Sequence, residues 1–276
     1  MTLTTGDRVA PRTEQWDARS GAAWVVRDSW TEAKRHLRIV PRNPDLIIFA
    51  TIQPMMFVLL FVYVFGGSIE IPGFDNYVQY LLPGIFAQTV VFGSGFTGVG
   101  IADDMQKGMM ERLRSLPMSQ PAVLIGRTVS DLIRNTFTFC VMLTVGFAVG
   151  FRFEGSLLEA LTASLLLLGF GYAFSWIQAL IGLSVSSVET VNSAGFMWMF
   201  PVTFVSSAFV DTSTFPEPLR LFADANPFTA AANAARALYN GADPGNDLWL
   251  AIAWAAGITV VFGFLSMRRF ARANHG

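Results

Sequence analysis

DDMQKGMMERLRSLPMSQPAVLIGR, residues Asp103–Arg127, is the one long charged interruption between apolar segments of this chain. Six charge-free runs surround it: Leu46–Ile69, Asn76–Ala102, Asn135–Phe151, Ala160–Val188, Thr190–Val210 and Leu248–Met267. A helix needs about 20 apolar residues to cross a hydrocarbon core of about 30 Å. Five runs reach that length, and the third, with 17 residues, is extended through Leu132 and Ile133. The expected fold is all-α: six transmembrane helices over about residues 46–68, 79–102, 132–151, 158–183, 191–210 and 248–267. Pro54 and Pro201 fall inside spans one and five, where neighbouring helices must satisfy the freed carbonyls.

Composition agrees. The chain is 53% hydrophobic and 14% charged, against roughly 25% charged in soluble domains, and its mean hydropathy is +0.46. A net charge of −1 argues for no nucleic-acid partner. The single Cys140 lies in an apolar run and reads as an inert small hydrophobe. His36 and His275 stand at opposite ends, and no metal-ligand spacing occurs.

Orientation follows from Lys and Arg. Residues 1–45 carry eight, residues 103–134 carry Lys107, Arg112, Arg114, Arg127 and Arg134, and the tail carries Arg268, Arg269 and Arg272. The alternate loops hold Arg152, Arg220 and Arg236. Both termini and the 103–134 loop are therefore expected in the cytoplasm, as an even number of spans requires.

No signal-peptide pattern opens the chain, and residues 1–20 are expected to be a flexible cytoplasmic tail. The remainder, 21–276, reads as one transmembrane domain. Val26, Trp30, Ala33, Leu37 and Val40 share one helical stripe flanked by basic residues, predicting an interfacial amphipathic helix over 22–41. Between spans three and four, Arg152–Ser156 is a tight turn. The loop between spans five and six is long, and Thr229–Tyr239 within it reads as a short re-entrant or surface helix.

No P-loop is present: the only lysines, Lys34 and Lys107, lack its glycine context. Nor does any Ser-His-Asp or Cys-His arrangement suggest itself, so no catalytic residue is expected. All six runs lack a carboxylate, which weighs against a proton antiporter and toward an external power source. In the opening stretch, Asp103 or Asp104 reads as a helix N-cap. Met105, Met109, Leu113 and Leu116 then follow on one face, with Glu111 and Arg112 on others, until Pro117 ends the helix. Such a helix suits docking into another protein's groove or packing on its own bundle. Within the runs, Gln53, Gln88, Gln178 and Asn192 suit interhelical hydrogen bonds or contact with a transported molecule. Phe92, Phe96, Phe196 and Phe200 are candidates to line an apolar cavity, and Ser94 with Gly98 fits a close helix crossing.

Five segments carry a resemblance: QPMMFVLLFVYVFGG at Gln53–Gly67, YLLPGI at Tyr80–Ile85, ERLRSLPMSQPAVLIGRTVSDLIRN at Glu111–Asn135, GFRF at Gly150–Phe153, and FPEPLRLFADANPFTAAANAARAL at Phe215–Leu238. Together they resemble the permease subunits of type-2 ABC exporters similar to the daunorubicin and doxorubicin resistance permeases. The resemblance implies six spans and a pairing with a second permease copy or a related permease. It implies a separate ATPase holding ATP and Mg, with no cofactor on this chain itself. It also implies that Asp103–Pro117 couples to that ATPase, that the 211–247 loop caps the outer exit, and that the cargo is an amphipathic drug or lipid. ATP-driven export across a bacterial plasma membrane is the expected function. An ion-gradient-driven efflux transporter and a non-transporting membrane scaffold are the alternatives.

Overall fold

The structure, a computed structural model, describes residues 27, 29–31, 34, 44–65, 76–109, 120–185 and 187–272. The described residues form helices and connecting turns, with no strand among them. The helices are α1 (Pro44–Leu59), continued by a π-helical segment Leu60–Phe65, α2 (Tyr77–Gln106), α3 (Gln120–Ala148), α4 (Leu157–Gly182), α5 (Val188–Phe204), α6 (Glu217–Ala225), α7 (Pro227–Tyr239) and α8 (Gly245–Arg272). Among the described residues α2, α4 and α8 are long and apolar enough to cross a membrane. Before α1, Arg27, Trp30, Thr31 and Lys34 are helical, with the Lys34 ammonium 5.3 Å from the Trp30 ring. The other stripe residues of the expected 22–41 helix lie outside the described residues.

Polar residues mark the starts. Asn76 accepts from the Val78 amide at 2.9 Å before α2. Ser156 and Glu159 form a reciprocal capping box before α4, and Ser187 caps α5.

α2 is the central element and packs against α3, α4, α5 and α7. In an apolar solvent helices gain little from burial itself, so close packing and hydrogen bonds must hold them together. Glycine supplies that closeness at the α2–α4 crossing. A Cβ at Gly98 would sit 2.7 Å from the Gln178 carbonyl oxygen, and one at Gly182 would sit 2.5 Å from that of Gly98. Ser94, the other residue of the expected crossing, turns its hydroxyl back to the Val91 carbonyl. Toward one end, Phe86, Phe151 and Tyr239 meet edge to face at 5.5–6.1 Å. There Glu154 and Gly155, in the turn before α4, donate to the Tyr239 carbonyl.

Three expectations are corrected. Asp103 and Asp104 do not cap a new helix: α2 runs on through Met105 and Gln106. The Asp103–Lys107 pair, 2.7 Å apart, continues the helical i,i+4 register. The chain turns only at Gly108, whose φ of +64° suits a residue without a Cβ. Span three was expected from residue 132, but α3 begins at Gln120. Arg127, Asp131 and Arg134 therefore lie on a helix rather than in a loop. On that helix Asp131 is 5% exposed and paired with both arginines. Finally, α5 stops at Phe204 instead of 210. Side chains replace its helical bonds: Asn226 Nδ2 donates to the carbonyls of Val202 and Val205 at 2.6 and 2.8 Å, and Arg236 Nη2 donates to that of Ser207 at 2.7 Å. Arg236, counted above as a loop cation, is itself buried.

Candidate functional site

α1, α2, α3, α4 and α5 enclose a cavity of about 240 Å³. Among the expected cavity residues, Gln53 on α1, Gln88, Phe92 and Phe96 on α2, and Phe196 on α5 all line it. Phe200 does not; its ring stands edge-on behind Phe92 at 5.3 Å. From there a row of rings runs outward. Phe200 stacks on Phe204 at 5.6 Å, Phe204 on Phe209 at 4.9 Å, and Phe209 on Phe61 at 4.8 Å. Phe196, Phe200 and Phe204 are more than a third exposed, so this wall is also an outer face of the subunit.

The lining also carries polar groups. Both amide atoms of Gln88 are buried without a hydrogen-bond partner among the described residues, as are Asn135 Oδ1 and Gln178 Oε1. Asn135 Nδ2 is committed to the Val90 carbonyl at 2.7 Å, and Gln178 Nε2 to the Met199 sulfur at 3.2 Å. Buried amide atoms of this kind cost about 1–3 kcal/mol each when nothing bonds to them. Their concentration around one cavity equips it for a polar ligand group.

Charges descend from the cavity along α3. Arg134 Nη2 lies 3.3 Å from the Gly93 carbonyl oxygen and 3.2 Å from Asp131 Oδ1. Asp131 Oδ2 meets Arg127 Nε at 3.2 Å, and Arg127 Nη1 reaches Asp104 at 3.5 Å. Gly100 makes room for this ladder, since a Cβ there would collide with the Arg127 guanidinium. The ladder ties the cavity to the end of α2 where coupling residues were expected.

Of those, Met105 is exposed in the last turn of α2. Met109 lies beyond the Gly108 turn and packs on the chain's own cluster of Ile101, Leu124 and Phe270. The two methionines are therefore not on one uninterrupted helix. Glu111, Arg112, Leu113 and Leu116 lie outside the described residues.

The family model described as ABC-2 type transporter matches residues 28–240. The chain belongs to the ABC-2 type transporter family. It is 33% identical over 256 residues to the daunorubicin resistance ABC transporter permease of Streptomyces coeruleorubidus, covering 93% of this chain and 90% of that one. It is 24% identical over 244 residues to a probable doxorubicin resistance ABC transporter permease of Mycobacterium tuberculosis, covering 88% of each. A putative transport permease of Cyanophora paradoxa is 24% identical over 223 residues, covering 79% of this chain and 76% of that one.

In this ABC-2 chain α3 adds three cavity residues that sequence reasoning missed as such: Arg134, Asn135 and Thr138. Arg134 and Asn135 were assigned to the boundary between loop and span. The available signal was their spacing, for Asp131, Arg134, Asn135 and Thr138 recur every three to four residues on one face of a helix.

Proposed function

We propose that this chain is the membrane permease subunit of an ATP-driven exporter that moves amphipathic molecules, drugs or lipids, out of the cell by alternating access. The observation that carries this is the cavity, lined by both aromatic rings and buried amides, in a chain related along most of its length to a drug resistance permease. An amphiphile needs both kinds of wall. A cavity of about 240 Å³ is small for a drug-sized molecule, whose sites span about 300–1,000 Å³. The exposed rings beside it suit completion by a second permease copy or a related permease.

In this reading residues 21–276 act as one six-span unit, with 1–20 as a flexible tail and both termini in the cytoplasm of a bacterium. The Lys and Arg distribution supports that orientation. A separate ABC ATPase, binding ATP and Mg, sits beneath. It pushes through the segment that follows α2, with Met105, Met109, Glu111, Arg112, Leu113 and Leu116 as the coupling residues and Glu111 and Arg112 as the polar contacts. The 211–247 segment caps the outer exit, and residues 22–41 lie in the inner interface.

The test is vanadate-sensitive transport by the permease and its ATPase in liposomes. Efflux that survives ATP depletion and collapses with the proton gradient would overturn the reading. For the coupling segment, Glu111→Ala and Arg112→Ala are expected to lower both ATPase co-purification and transport. Unchanged values for both would remove the segment from the mechanism.

A further inference from the structure

We propose that the cavity sorts its cargo by charge: it accepts an amphiphile bearing an acidic group, sulfonate, carboxylate or phosphate, against Arg134, and disfavours one bearing a cationic amine. The proposal rests on the exporter reading above and names its substrate class.

Arg134 is the one ionisable side chain among the described residues that line the cavity. Its side chain is only 11% exposed, so a charge brought against it is poorly screened. Its polar contacts with described residues are made by Nη2, to the Gly93 carbonyl and Asp131. Nε and Nη1 take no hydrogen-bond partner among the described residues. Those atoms carry three N–H donors, and guanidinium donors match the oxygens of carboxylate and phosphate groups.

The guanidinium is also fixed in place. Its carbon stands 4.4 Å over the Phe96 ring, and Asp131 holds it from behind. Both carboxylates of the ladder, Asp131 and Asp104, lie outside the cavity lining. Asp131 is shared with Arg127, so a cationic amine in the cavity would meet Arg134 before any carboxylate. Gln88 and Gln178 are neutral and serve hydroxyl or carbonyl groups of the same cargo.

The experiment uses the permease with its ATPase in zwitterionic liposomes. Three single-chain amphiphiles share one NBD fluorophore and end in a sulfonate, a hydroxyl or a trimethylammonium group. A lipid arm compares NBD-labelled phosphatidylglycerol with NBD-labelled diacylglycerol. Transport is read as kcat/KM, and binding of the same probes to the purified permease is read by anisotropy. The expected result is a preference of about tenfold or more for the sulfonate over the ammonium. Arg134→Gln brings that ratio to near one, and Arg134→Lys restores most of it. A preference confined to phosphatidylglycerol identifies the bilayer headgroup as the source of the anion, and one that includes the sulfonate identifies an exported amphiphile; either supports the proposal. Equal binding of the three single-chain probes with no lipid preference, or a preference for the ammonium, overturns it in the wild-type protein alone, whatever the variants do. Loss of ATP dependence with the charge ratio intact would instead overturn the exporter reading and leave the charge selection standing.

Discussion

Gly98→Ala is expected to destabilise the protein, although alanine is the better helix former. The substitution adds one methyl group at the α2–α4 crossing. That carbon would lie 2.7 Å from the Gln178 carbonyl oxygen and 3.0 Å from Val191 Cγ1. Ordinary contact begins at 3.4 Å, so the helices must separate locally by about 0.7 Å, and the oxygen is backbone and cannot rotate away. A gap of 0.5–1 Å forfeits about a quarter to a half of each dispersion contact along the seam. Overpacking of this kind costs about 1–3 kcal/mol, which exceeds the roughly 0.5–1 kcal/mol that alanine gains over glycine inside a helix. Gly169 on α4 and Gly257 on α8 supply the control, because a Cβ at either meets nothing within 4 Å. The assay is thermal unfolding of the purified permease in detergent, wild type beside the three single variants. Gly98→Ala should melt several degrees lower, and Gly169→Ala and Gly257→Ala at or above wild type. A Gly98→Ala protein that melts with its controls would refute the close-approach argument.

Arg236→Gln should cost about 3 kcal/mol. Its guanidinium donates to the Tyr80 and Ser207 carbonyls and to Asn233 Oδ1 at 2.7–2.8 Å; each charge-assisted bond is worth about 1.5–3 kcal/mol, offset in part by relief of the buried charge. Arg236→Lys should not rescue it in the same melt, since an ammonium cannot reproduce the planar fork; full rescue would show that charge alone matters. Asn226→Ala should cost about 1–2 kcal/mol or more, through loss of the Phe228 N–H cap and of both bonds to the end of α5. Asn226→Asp keeps the cap and should fall between. Hydrogen exchange should quicken at the amides of Ser207 and Ala208 in both variants, and unchanged protection there would contradict the bridging role.

The existence of apolar helices was legible because an uncharged run of about 20 residues has few other uses. The helix ends were not, and the reason is specific. A reading along the chain treats every charge as a mark of water. Arg127, Asp131 and Arg134 break that assumption by pairing with one another and with Asp104 across two helices. Arg236 breaks it by taking backbone carbonyls that Tyr80 and Ser207 bring from distant parts of the chain. Asp103 misled in a different way: an acidic residue before an apolar stripe is a cap signal, but it serves equally as the first half of an i,i+4 pair inside a continuing helix. Gln53 and Gln88 were visible as polar residues in apolar runs. That Phe200 backs the lining was invisible, since it depends on where α2 meets α5 rather than on α5 alone.

The helices around the cavity are held by contacts of different stiffness. α2 is tied to α4 through glycine, where backbone meets backbone at Gly98 and Gly182. It is tied to α3 through Asn135, Arg134 and the ladder below them. Such contacts have two arrangements, made or broken, because a displacement of half an ångström either collides or loses a buried bond. Beside the cavity, rings also meet across helices: Phe57 of α1 with Phe204 of α5, and Phe92 of α2 with Phe196 and Phe200 of α5, at centroid separations of 5.3–6.0 Å. A ring pair is worth only about 0.5–1.5 kcal/mol beyond its buried area, and it tolerates both stacked and tilted geometries. α5 is held by bonds as well, since Gln178 Nε2 donates to the Met199 sulfur at 3.2 Å and Asn226 Nδ2 donates to the Val202 and Val205 carbonyls at its end. Arg134 is fixed within the α2–α3 seam, by the Gly93 carbonyl, by Asp131 and by the Phe96 ring beneath its guanidinium.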